Sequence, residues 1–110
     1  MSQPSFRVRV TRGIRVLLNV EVPSENGLNI VYDMLDHMMA ELILLVEEQP
    51  KREDLREIER IIAAAQRDVW DMCQGEWHRL RWGKRLWTAS IPPFGRRRKE
   101  TIIMIKRIGE

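Results

Sequence analysis

The sequence predicts an α+β fold of order β-β-α-α-β-β, an antiparallel sheet with a helical hairpin packed on one face, and three observations lead there. Apolar residues alternate at period two over residues 1–22 and again near the C-terminus. They recur at helical spacing across residues 24–74. A break of only one or two residues at Gln49-Pro50 makes the two helices an antiparallel hairpin, which one antiparallel sheet most simply carries on one face. At 110 residues the chain has the usual size of one domain. Residues 1–110 are therefore taken as a single domain: a β-hairpin over 1–22, a helical hairpin over 24–74, and basic C-terminal strands and loop over 76–110.

The N-terminal hairpin rests on Phe6, Val8 and Val10 alternating with Arg7, Arg9 and Thr11. Beyond Gly13, the residues Ile14, Val16, Leu18, Val20 and Val22 alternate with polar ones, and Leu17 alone breaks the pattern. A two-residue loop at Arg12-Gly13 would set Val10 opposite Arg15. A three-residue loop, Thr11-Arg12-Gly13, sets Val10 opposite Ile14, Val8 opposite Val16 and Phe6 opposite Leu18, so parity favours it.

Pro23 to Gly27 ends the hairpin, with Ser24 or Asn26 as the expected N-cap of the first helix. That helix runs to about Gln49 on a stripe of Val31, Leu35, Met38, Leu42 and Leu45. Ile30, Met34, Met39, Ile43 and Val46 widen the stripe; 14 of the 19 residues from Leu28 to Val46 are apolar. A helix this apolar needs cover on more than one side, so a homodimer, or a protein partner along this helix, is expected. Gln49-Pro50 is a link of one or two residues, with Pro50 in the first turn of the second helix. That helix begins with Glu53 and Asp54, which suit its positive N-terminal end. Leu55, Ile58, Ile62, Ala65, Val69 and Met72 form its buried stripe; Arg52, Arg56, Glu59, Arg60 and Asp68 form its solvated one. Gly75 ends or kinks it. Leu86 to Ile91 reads as a strand with Trp87, Ala89 and Ile91 on one face. Thr101 to Ile108 reads as a central strand, apolar on both faces.

Composition excludes several classes. The chain is 44% hydrophobic and 32% charged, unlike disordered segments. One cysteine, Cys73, cannot make an internal disulfide, which points to a reducing, cytoplasmic compartment. The N-terminus carries Arg7, Arg9, Arg12 and Arg15 with no apolar run behind them, so no secretory signal is expected. Asp33, Asp36 and Glu41 within the most apolar stretch argue against a membrane span. The net charge of +3 is uneven along the chain: residues 1–50 carry −3, 51–74 carry −1 and 75–110 carry +7. An anionic partner is expected to meet the C-terminal third.

Candidate chemistry is sparse. Asp33, Asp36, His37 and Glu41 share one helical strip, yet no second ligand-bearing segment completes a metal site. Cys73 and His78 lie five apart with no third group to orient them, so a structural role is favoured over a nucleophile–base pair. No glycine-rich phosphate loop occurs, and no cofactor is expected. The densest constellation is Trp77-His78-Arg79-Leu80-Arg81-Trp82-Gly83-Lys84-Arg85-Leu86-Trp87, followed by Arg96-Arg97-Arg98-Lys99. Clustered cations bind phosphates by releasing counterions, and aromatic faces stack on unpaired bases. Trp70, Trp77 and Trp87 are expected to serve the core, leaving Trp82 as the exposed stacking residue. The four cations from Arg96 to Lys99 show no local packing reason and are expected to be free.

The sequence therefore favours a non-enzymatic binding module that engages nucleic acid. Arg79, Arg81, Lys84, Arg85, Arg96, Arg97, Arg98 and Lys99 would neutralise phosphates, and Trp82 would stack. The alternative is an accessory or inhibitor protein that docks the same surface on a larger nucleic-acid-processing enzyme. A third possibility comes from element order: a helical hairpin followed by basic strands is similar to the small ribonuclease toxins of bacterial toxin–antitoxin pairs, over about the last two-thirds of the chain. That resemblance implies a metal-independent ribonuclease. The N-terminal hairpin departs from it, no motif of that family is matched residue by residue, and Tyr32 lies in the apolar helix.

Overall fold

A computed structural model of the protein describes residues 5–22, 28–73 and 86–108. The elements are β1 (Ser5–Arg12), β2 (Arg15–Val22), α1 (Asn29–Glu48), α2 (Glu53–Cys73), β3 (Leu86–Ile91) and β4 (Thr101–Ile108). The four strands form one antiparallel sheet in the order β2-β1-β4-β3, so β1 and β4 are central, as the apolar run of β4 requires. The predicted order and α+β class are therefore the observed ones.

Alternation decides which sheet face is buried. Val8, Val10, Ile103 and Ile105 stand in register on one face, joined by Phe6, Val22 and Ile91, and all seven are buried. Both helices lie on this side. Val31, Leu35, Met38 and Leu42 of α1 and Leu55, Ile58, Ile62, Ala65, Val69 and Met72 of α2 complete one continuous core. Leu28 and Phe94 plug it from the adjoining loops. Fully burying side chains of this kind contributes about 1.5–3 kcal/mol each, which outweighs any single surface contact in the molecule. The opposite sheet face carries Arg7, Arg9, Asn19, Thr88, Ser90 and Lys106, all exposed, and no described element covers it.

The hairpin differs from the sequence expectation. Phe6 pairs with Val22, Val8 with Val20, Val10 with Leu18 and Arg12 with Arg15, leaving the two-residue loop Gly13-Ile14. Gly13 has φ +61° and Ile14 a negative φ, the pattern of a type II′ turn, whose twist suits a hairpin. A bulge between Val10/Thr11 and Val16/Leu18 absorbs Leu17, the residue that breaks the alternation. The bulge resets parity, so Val16 is exposed and Val20 takes its place beside Val8.

The helical hairpin also corrects details. The residue at the N-cap of α1 is Leu28, which makes no side-chain capping bond and is fully buried, so an apolar plug rather than Ser24 or Asn26 starts the helix. Four residues, Gln49 to Arg52, join the helices, and Pro50 stands in this link rather than in α2. The link is tied by Gln49 N–H donating to the Leu45 carbonyl at 2.9 Å and Arg52 N–H to the Gln49 carbonyl at 3.1 Å. Arg52 forks onto the Asp54 carboxylate at the start of α2. This contact holds the Asp54 carboxyl below its ordinary value and raises the Arg52 guanidinium. Arg60 pairs with Glu57 at 3.1 Å, one turn back along the exposed face.

Candidate nucleic-acid interface

The predicted interface residues Arg79, Arg81, Trp82, Lys84 and Arg85, with Trp77 and the Cys73–His78 pairing, lie on or depend on residues 74–85, outside the described residues. Arg96, Arg97, Arg98 and Lys99 lie between β3 and β4 and are described. They do not behave alike. Arg96, Arg98 and Lys99 are exposed. Arg97 turns inward: its side chain is only 18% exposed, Nη2 meets Glu41 Oε2 of α1 at 2.8 Å, and its guanidinium stacks on the Phe94 ring at 4.6 Å. The expectation that all four cations are free fails at Arg97. The cause is the turn before it, where Arg97 N–H donates to the Phe94 carbonyl at 3.0 Å and Gly95 has φ +61°. That turn drives Phe94 into the core and carries Arg97 against α1. Burial pulls the Arg97 guanidinium below its ordinary value; Glu41 opposes this and the charge of Arg12 adds to it.

Sheet pairing brings further cations to the same end. Thr101 pairs with both Arg12 and Ile91, so the β1–β2 turn and the β3–β4 loop adjoin. The stem of Lys99 lies across Gly13, close enough that a Cβ there would collide with it. Arg12 Nε donates to Thr101 Oγ1 at 3.3 Å, and Arg15 stands beside Arg12 on the edge strand. Across the uncovered face, Arg7 is the register partner of Lys106, with Arg9 two residues along. Arg7 also donates to Asn19 Oδ1 at 3.2 Å.

These positions revise the charge map. The four strands and the β3–β4 loop hold ten Lys and Arg against two Asp and Glu, whereas residues 29–73 hold five against eleven. The polarity runs between layers, basic sheet against acidic helices, and not only along the chain. The −3 of residues 1–50 conceals this, because it adds a basic hairpin to an acidic helix. Alternation already assigned Arg7 and Arg9 to one face of β1; what the sequence could not supply was that β1 pairs with β4.

The other candidates resolve into packing. Trp87 faces the helices as expected, its Nε1 donating to Asp68 Oδ2 at 3.1 Å, so Asp68 serves α2–β3 contact as well as solvation. Trp70 is 50% exposed and lies against Tyr32 with ring centroids 5.7 Å apart, a surface pair rather than a core filler. Of the acidic strip, Asp36 accepts from Gln66 at 3.5 Å and Glu41 holds Arg97. Among the described residues no three His, Cys, Asp or Glu are grouped to hold a metal ion. No described helix is long and apolar enough to cross a membrane.

No protein-family model matches the chain, and no curated protein or solved structure shows significant similarity to it.

Proposed function

We propose that this protein is a non-enzymatic nucleic-acid-binding module that uses its sheet layer. The observation that carries the proposal is the layer polarity: Arg7, Arg9 and Lys106 on the uncovered face run toward Arg15, Arg96, Arg98 and Lys99 at the turn end, with no acidic residue among them except Glu21 and Glu100. Clustered cations of this kind neutralise phosphates and give affinity that depends steeply on salt. Arg79, Arg81, Lys84 and Arg85 extend the set in sequence, and Trp82 is the residue assigned to stacking. Arg97 is excluded from phosphate contact because Glu41 and Phe94 occupy it.

The test is fluorescence anisotropy with labelled single-stranded and duplex DNA and RNA, between about 50 and 200 mM salt. Binding that weakens by orders of magnitude over that range supports the proposal. Absence of binding at the low end defeats it. One observation favours a second reading, a docking protein for a nucleic-acid-processing enzyme: Ile14 at the hairpin tip is 96% exposed between Arg12 and Arg15. An apolar anchor flanked by arginines suits a protein pocket. Stoichiometric capture of one protein that persists after nuclease treatment, with no affinity for nucleic acid alone, would select that reading.

A further inference from the structure

The uncovered sheet face is not basic throughout, and strand register shows how it divides. At one end Arg7 stands between Glu21 and Lys106, with Arg9 two residues along β1, about 7 Å away. Glu21 is the one acidic residue on this face among those described, so this end keeps a positive excess. Toward the hairpin turn the side chains change character. Thr11 stands between Val16 and Ile102, and Met104 lies beside Arg9. Val16 is 47% exposed, Ile102 is 40% exposed and Met104 is half-buried, so apolar surface adjoins the cations with no described element over it.

The two parts of the face demand different things of a ligand. Arg7, Arg9 and Lys106 suit phosphates, whereas Val16, Ile102 and Met104 gain only where an apolar or aromatic surface displaces water from them. A duplex offers phosphates alone on its outside, and its bases lie in grooves about 12 Å and about 6 Å wide. Four strands span about 14 Å before side chains are counted, too broad to seat in a groove of undistorted B-form DNA. A single strand leaves its bases free to lie on a sheet surface beside the line of its phosphates. Resting on the nucleic-acid reading above, we propose that this face binds single-stranded nucleic acid, its backbone along Arg7, Arg9 and Lys106 and its bases against Val16, Ile102 and Met104. Apolar side chains read no hydrogen-bonding edge, so recognition here tolerates any sequence.

The probes are labelled oligothymidylate, its duplex with oligodeoxyadenylate, and an abasic strand of the same length, which keeps the phosphates and lacks the bases. Fluorescence anisotropy with the whole chain is expected to show oligothymidylate bound at least about fivefold more tightly than either control, the low end of one base contact. Ile102→Thr combined with Met104→Thr keeps a strand-forming residue at both positions. It should weaken oligothymidylate binding by about fivefold, the effect of removing partly covered apolar surface. The salt slope, the affinity for the abasic strand and the circular dichroism spectrum should not change, because no phosphate contact is lost. Should the variant not fold, the comparison of probes on the parent protein decides alone. Binding of either control as tight as that of oligothymidylate, with steep salt dependence, would overturn the base contacts and leave phosphate binding standing. Absence of binding by all three would overturn both. Self-association of the parent that the double variant abolishes would give this face to a second copy and overturn the proposal as well.

Discussion

Arg97 shows how far one side chain can depart from its neighbours in a uniform run. Four consecutive cations give no local reason for one to differ, because the reason lies in α1, where Glu41 waits, and in Phe94 three residues earlier. We expect Arg97→Ala to cost about 1–2 kcal/mol, from a cation–π contact, a partly exposed ion pair and the packing of the stem. Arg96→Ala and Arg98→Ala should stay within about 0.5 kcal/mol. Urea denaturation of the three variants checks the contrast; equal effects would mean Arg97 is a surface cation after all. Gly95 is a second residue of this kind. Its φ of +61° disfavours any side chain, and a Cβ would stand 3.1 Å from Leu45 Cδ1. Gly95→Ala should therefore lose about 1–2 kcal/mol, the usual left-handed penalty. A midpoint unchanged from the parent protein would contradict the turn described.

Elements were more legible than registers. Stripes at helical and strand spacing placed all six elements within a few residues, because burial of a periodic face dominates local propensity. The hairpin register failed because strict alternation assumes an unbroken strand, and Leu17 is expelled by a bulge that parity alone cannot foresee. The helix link differs only in length: α2 begins at Glu53 as its acidic pair indicates, but four residues rather than one or two precede it, which leaves Pro50 outside the first turn, and the Arg52–Asp54 fork closes that link. That fork has a pH signature. The Asp54 carboxyl lies below its ordinary value of 3.8 when folded, so its contribution to stability is present above that value and is lost as pH falls through the folded one. The difference in thermal midpoint between the parent and Asp54→Asn should thus be present at neutral pH and vanish in acid once the pH has fallen through the lowered folded-state value. A difference that persists unchanged in acid would assign the effect to something other than this charge.

At the scale of the molecule, strand pairing creates what neither end of the chain contains. Order β2-β1-β4-β3 joins the N-terminal arginines to the C-terminal cations and sets both against an acidic helix layer. The sequence showed the basic C-terminal third, and missed the hairpin's share because sheet partners are long-range information. The breadth of the α1 stripe was legible too. Met34, Met39, Leu45 and Val46 are half-buried within one chain, whereas Ile43 and Leu44 remain exposed, so the proposal of a covered helix keeps its motive. Sedimentation at tens of micromolar should show self-association that Leu44→Lys removes; a monomer in both cases would retire that proposal.

The layer polarity itself is tested by removing charge from one layer at a time. Arg7→Gln, Arg9→Gln and Lys106→Gln are combined in one protein, and Lys51→Gln, Arg56→Gln and Arg67→Gln in another, with equal change in net charge. The slope of log affinity against log salt is then measured for one single-stranded oligonucleotide. The sheet-layer variant should lose affinity, and its slope should shrink by roughly 0.7–0.9 for each phosphate contact removed. The helix-layer variant should bind as the parent does. Equal losses in the two variants would reduce the interaction to net charge and contradict a binding surface on the sheet.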